Sequence, residues 1–245
     1  MSTGAAAGEL ARPGVSAWRR DRRFFTGMAV AAALTVFAGF ARTYYLKGVF
    51  GAPPLSQLLH VHGLLFTTWI LLFVTQTSLV AARRTDIHRR LGVAGGLLAA
   101  VMVVVGLMAA IDAVHRGVQP PGAPPPLIFF MIPFGDILSF GAMVGLGLYF
   151  RRRPEVHKRL MLLATITLLS AAIARLPGVL GTGPLVFYAL TDLFIAACWL
   201  YDRLAHGRIH PTFLWGGLIL IALQPIRLWF AGTEAWLAFV RWLTA

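Results

Sequence analysis

His88, His157 and His210 each follow a cluster of basic residues and each open a long apolar run. Imidazole is the commonest side-chain metal ligand and an axial ligand of haem. Two such histidines on neighbouring helices can clamp a b-type haem, and three can hold zinc or copper with one coordination position open. The same stretches also have an ordinary reading. Asp86 and Glu155 suit helix N-termini, the arginines and lysine fix topology, and a histidine is at home at a membrane interface. On that reading no cofactor is bound.

A second set of candidates lies inside the apolar runs. Asp136, Arg175, Asp192 and Arg227 would each cost a few kcal/mol or more facing lipid, so they are expected to face the interior of a bundle. At ~1.5 Å per residue, Asp136 and Asp192 should lie roughly 12 Å below the outer surface, with Gln224 at nearly the same depth. His60 and His62, with Asp112 and Arg42, cap this region. Two carboxylates opposite two guanidiniums can form a buried salt-bridge network, since each Arg can hold a carboxylate bidentately. They can also line a pocket for a quinol head or a carboxylate, with Asp and His accepting protons, or a His/Asp metal site involving His62. Alternate residues on a helix point about 200° apart, so only one of His60 and His62 should face inward. His62 is expected to, because Gly63 beside it permits a close helix approach. His206 and His210 have the i, i+4 spacing of a helical metal pair, but Gly207 and Pro211 predict a turn. Pro177 and Pro225, two residues from Arg175 and Arg227, are expected to break helices near the cavity.

The elements that must position these groups are transmembrane helices. Only 13% of the 245 residues are charged, 58% are hydrophobic and the mean hydropathy is +0.74, whereas a soluble domain carries about a quarter charged residues. Apolar runs long enough to cross a ~30 Å hydrocarbon core fall at Phe24–Tyr45, Leu58–Ala81, Leu91–Val114, Leu127–Phe150, Leu160–Leu180, Leu185–Leu204 and Phe213–Phe230. The fold expected is all-α: a polytopic membrane protein with seven transmembrane helices. A disordered basic tail (1–23) should precede the bundle (24–231), and an interfacial amphipathic helix (232–245) should follow it.

The loops alternate in character. Loops rich in Gly and Pro lie on one side and basic loops on the other, with 16 Lys and Arg on the basic side against four opposite. The positive-inside rule makes the basic side cytoplasmic, which predicts an inner-membrane protein with its N-terminus in the cytoplasm and its C-terminus in the periplasm. The net charge of +13 resides in these short loops, with no basic stripe interleaved with aromatics, so no nucleic-acid partner is expected. The lone Cys198, inside an apolar run, reads as a packing residue.

An internal repeat joins the two observations. Arg83-Arg-Thr-Asp-Ile-His-Arg-Arg-Leu91 and Arg152-Arg-Pro-Glu-Val-His-Lys-Arg-Leu160 share one pattern at a separation of 69 residues, and Arg208-Ile-His-Pro211 is a weaker third copy. Spans 2–3, 4–5 and 6–7 therefore read as three related hairpins added to span 1.

The stretch His88-Arg-Arg-Leu-Gly92, with His62-Gly63 and Gln76 before it, resembles uncharacterised bacterial multi-span families that carry a His…Gln…His-Arg-x-Leu-Gly pattern. His157-Lys-Arg-Leu-Met161 resembles another uncharacterised family linked to assembly of haem-copper oxidases. The acid-x-His-Arg start at Asp86–Arg89 is similar to that of haem A synthase, whose transmembrane histidines bind haem. These resemblances cover spans 2 to 5. The chain lacks the Glu-x-x-Glu context and the evenly paired outer histidines of haem A synthase, which argues against two haems.

Three functions follow as expectations: a haem- or metal-associated redox protein or oxidase-assembly factor working with quinol or a respiratory complex, a proton-coupled transporter using the outer Asp/Arg chamber, or a non-catalytic subunit of a membrane complex. A homo-oligomer is compatible with all three. No predicted span holds a lysine for a retinal Schiff base, and the chain has no desaturase histidine boxes, phosphate-binding loop or Gly-x-Ser-x-Gly nucleophile.

Overall fold

The computed structural model describes residues 15–119 and 121–245. Among the described residues ten α-helices follow one another: α1 (Val15–Phe40), α2 (Gln57–Ala81), α3 (Thr85–His115), α4 (Pro126–Phe129), α5 (Met131–Tyr149), α6 (Pro154–Thr167), α7 (Leu169–Ile173), α8 (Pro184–His206), α9 (Pro211–Phe230) and α10 (Glu234–Leu243). Among the described residues there is no strand. Seven stretches among the described residues are long and apolar enough to cross a membrane: α1 with the turn after it, α2, α3, α4–α5, α6–α7, α8 and α9. The protein is a seven-span membrane protein, as the hydropathy predicts.

Its outer surface agrees with lipid as the solvent. Leu71, Val93, Leu97 and Leu193 point away from the bundle and are exposed, as apolar residues on lipid-facing helices should be. The centre is α6–α7, where 67% of the most apolar window is buried, against 17–39% in the other spans. Helices α1, α5, α8 and α9 pack around it. Consecutive spans pack as neighbours in the pairs α2·α3, α5·α6 and α8·α9, and also in α1·α2, α3·α5 and α7·α8, so the packing accommodates three hairpins without singling them out.

Local sequence explains where the structure departs from the hydropathy ranges. Span 4 is interrupted at Phe130 because Pro133, three residues on, has no N–H to complete the ladder there. Span 5 breaks at Leu168 and ends at Ile173 rather than Leu180. Pro177 disfavours helix in the residue before it, and the chain runs through successive turns from Arg175 to Thr182. Pro225, by contrast, lies inside α9 without ending it. Helix α1 closes in one π-helical turn, Ala41–Tyr45. Just before that turn Gly39 lies so close to α7 that a Cβ would stand 2.2 Å from the Ala172 carbonyl oxygen, the kind of backbone approach that small residues permit in membranes.

Both termini refine the expected boundaries. The basic segment before Phe24 is helical from Val15, so the tail boundary at residue 23 is corrected. Asp21 bonds Lys158 and Tyr201, and Phe24 stacks on Tyr201 with ring centroids 3.8 Å apart, which anchors this turn to α6 and α8. The predicted disorder of residues 1–14 lies outside the described residues. At the other end α10 docks through Trp236 and Val240, both buried, and the Trp236 indole N–H donates to the Leu127 carbonyl.

Candidate functional site

The structure divides each of the two polar layers that the sequence suggests. At the basic end, His88 and His157 occupy the same register, the fourth residue of α3 and of α6 respectively. Their rings lie 6.2 Å apart, nearly perpendicular. His157 Nδ1 is 2.7 Å from the Gly147 carbonyl oxygen. A carbonyl can only accept, so Nδ1 carries the proton and Nε2 keeps its lone pair. His88 Nδ1 is buried without a partner, and so is Oε1 of Gln76, whose amide donates to the His88 carbonyl. Buried polar atoms are nearly always satisfied, and here Gln76 and His88 leave two unsatisfied.

His210 does not join this pair in register. It is the N-cap of α9, and its Nδ1 accepts the Thr212 N–H at 3.1 Å. The third copy of the repeat is thus shifted by about one helical turn, because Pro211 takes the first helical position. His206 and His210 flank a turn with Gly207 at φ 73°, as Gly207 and Pro211 predict. Among the described residues no group of three or more His, Cys, Asp or Glu side chains stands where it would hold a metal ion.

The basic end also contains an ion network that sequence reasoning missed. Arg159 Nη2 donates to Asp202 Oδ1 at 2.6 Å and Nε to Oδ2 at 3.1 Å, and neither residue is exposed. Arg159 also bonds Glu155, while Asp202 accepts the His210 backbone N–H at 2.9 Å. Lys158 bridges Glu155 and Asp21, and His206 reaches Asp21 and Asp202. These groups read as loop charges because they border the spans. One signal was present: Asp202 lies next to the last turn of α8, close to the helix end where the dipole disfavours an acid, so a cation was needed nearby.

In the outer half, the expected chamber divides in two. Asp136 Oδ1 accepts from Arg227 at 2.8 Å and from the Tyr188 hydroxyl at 3.3 Å, and its Oδ2 accepts from Ser170 at 2.5 Å. Arg227 also bonds Ser139. Gly135 makes room for this cation, since a Cβ there would meet the Arg227 side chain at 2.6 Å. Beside the pair lies a cavity of about 20 Å³, which Ser170, Tyr188, Thr191 and Gln224 help to line, room for one water molecule. Gln224 donates to Asp192 at 2.7 Å. Ser139, Ser170 and Tyr188 were not foreseen, because serine hydroxyls in helices ordinarily bond back to their own backbone and a tyrosine in an apolar run reads first as a packing ring.

Arg175 stands apart from these carboxylates. It donates to the Ala171 carbonyl at 2.5 Å and covers the Phe40 ring at 4.8 Å. His62 faces inward and stacks on Phe66, with its Nδ1 buried and unpartnered, while His60 is exposed. That is the division predicted for the pair, and Gly63 admits the ring of Tyr44. Asp112 pairs with Arg116 on its own helix end at 2.8 Å.

Comparison of the chain with known family models, curated proteins and solved structures finds no match in any of the three. The geometry alone carries the functional argument. Arg159–Asp202 and Arg227–Asp136 are closed into ion pairs, whereas the orphaned imidazole and amide atoms lie on α2 and α3.

Proposed function

We propose that this chain is an integral inner-membrane redox protein that binds haem b between His88 and His157. The observation that carries the reading is the pair itself: two imidazoles 6.2 Å apart at the same register of related hairpins, one with its Nδ1 proton fixed on Gly147 and the other with an unpartnered buried nitrogen. Two imidazoles would suffice to hold a haem iron, whereas zinc sites draw on three or four protein ligands, so the donor count favours haem over zinc or copper. Bound there, haem supplies one-electron transfer. The hydrogen bond to Gly147 fixes the His157 tautomer and aims Nε2. Gln76, bonded to the His88 backbone, holds the start of α3 against α2.

The physiological partner on this reading is a quinol or a respiratory complex, including a role in oxidase assembly. The test is a visible spectrum with haem and metal analysis of the purified full-length protein from haem-sufficient cells. A Soret band with stoichiometric haem is expected, and a colourless, metal-free preparation overturns the reading. The excess of Lys and Arg at one end supports a cytoplasmic N-terminus and a periplasmic C-terminus, which terminal reporter fusions would check.

A second reading, proton-coupled transport, rests on the water-sized cavity beside Asp136 and on the interruption of the central helix at Leu168, since carriers often bind substrate at broken helices. It requires Asp136→Asn and Asp192→Asn each to abolish uptake while the protein still folds. A non-catalytic subunit remains the outcome if both tests fail and stoichiometric partners co-purify.

A further inference from the structure

We infer that a groove at the basic end, between α1 and the turn joining α2 to α3, binds an anionic phospholipid, with the phosphate on Arg22 and Arg83 and an acyl chain over Gly27 and Val30. The groove has a volume of about 890 Å³, within the usual range of small-ligand sites. Its upper part is basic, with Arg19, Arg22, Arg23 and Arg83. The guanidinium carbons of Arg22 and Arg83 both lie over the Trp18 ring, at 4.3 and 4.5 Å. Among the described residues none of these four arginines has a carboxylate within ion-pair distance. Four converging cations without an anion call for one, and the guanidinium fork matches a phosphate's oxygens.

Two further observations point to an occupant. Arg22 Nε and the Thr26 hydroxyl are buried in the groove wall with no hydrogen-bond partner, although every side-chain nitrogen of Arg159 has a partner. Arg83 also takes the left-handed conformation, φ 61°, and is the only described non-glycine residue with a positive φ. It closes α2, where the Arg84 N–H returns to the Leu79 carbonyl at 2.8 Å, a position that glycine ordinarily fills. The strain is retained where it brings a guanidinium over Trp18, as strain tends to be at binding sites.

The lower part of the groove selects a lipid over a free phosphate. Gly27, Val30 and Ala81 continue it along the lipid-facing side of α1 and α2, and a Cβ on Gly27 would meet nothing within 4 Å. One end therefore fits a phosphodiester and the other an acyl chain, as in basic pockets between transmembrane helices that take anionic headgroups.

The test uses the full-length protein in detergent, titrated with phosphatidylglycerol or with phosphatidylcholine of matched chains and read by native mass spectrometry. Preferential retention of phosphatidylglycerol is expected. Arg22→Ala with Arg83→Ala should weaken it about 30-fold, taking about 1 kcal/mol per cation and ~1.4 kcal/mol per tenfold. Gly27→Leu leaves every arginine in place and fills only open space, so it tests the acyl groove even if the double variant misfolds, and it should also weaken retention. Inorganic phosphate and the headgroup without chains should fail to displace the lipid. Equal retention of the two lipids, unchanged binding by Gly27→Leu, or displacement by phosphate alone would each overturn the inference.

Discussion

Arg159 and Asp202 meet through two parallel hydrogen bonds, of 2.6 and 3.1 Å, at a point where neither is exposed. The pair ties the central helix α6 to the end of α8, and Asp202 extends the tie to α9 through the His210 N–H. Removing one member leaves the other charge buried, which costs about 3–5 kcal/mol, whereas replacing both by apolar residues of similar volume is often neutral. Arg159→Met and Asp202→Leu should each lower stability by about that amount in denaturant unfolding of the detergent-solubilised protein. The double variant should recover most of the loss. Equal, additive losses would mean that the two residues act independently.

The two histidine copies that share a register should behave differently from the third. His88→Ala and His157→Ala are expected to remove the Soret band, while His210→Ala should keep it, because His210 Nδ1 is engaged in capping α9. Losing that cap costs about 1 kcal/mol in stability. Spectra of the three variants, each checked for folding by size-exclusion chromatography, distinguish a pair from a triad. If His210→Ala bleaches the protein as fully as the others, the pair is the wrong site.

The number of spans and the alternation of loops were legible because hydropathy and charge are properties of segments. Pairings were less so, because they depend on rotation about each helix. His62 was assigned inward from the 200° step and Gly63, and it does face inward. Asp136 and Arg227 were recognised as candidates and do pair. Arg175 and Asp192 were recognised too, but they find Phe40 and Gln224 instead of each other, since depth along the membrane says nothing about azimuth. Arg159 and Asp202 escaped notice because charges at span ends are expected to reach water, and these two are covered by α1 and α9. The shift of His210 was hidden in the weakest copy of the repeat, where a proline resets the helix start.

Gly135 is a sensitive probe of the outer pair. A methyl group there would lie within 2.6–2.9 Å of the Arg227 side chain, so Gly135→Ala must push the guanidinium away from Asp136 and Ser139. The expected loss is about 1–3 kcal/mol, the usual cost of overpacking. Gly145→Ala, where a Cβ meets nothing within 4 Å, should be tolerated and serves as the control in the same unfolding measurement. A Gly135→Ala protein as stable as Gly145→Ala would show that the Arg227–Asp136 contact contributes little.

His210, just outside the last span, gives stability a pH dependence whose sign can be worked out. Burial and the neighbouring Arg159 hold its pKa below the ordinary 6.5, although Asp202 and Glu155 oppose this. Protonation would also remove the Nδ1 lone pair that accepts the Thr212 N–H. The unfolded chain therefore binds more protons at this residue than the native one, and stability rises with pH. The contribution is fully present above pH 6.5 and is lost as the pH falls from there through the lowered native pKa. His210→Asn supplies a capping oxygen that does not titrate, so its stability should fall less than the wild type's across that interval. Parallel unfolding curves for the two proteins at each pH would show that the cap does not titrate.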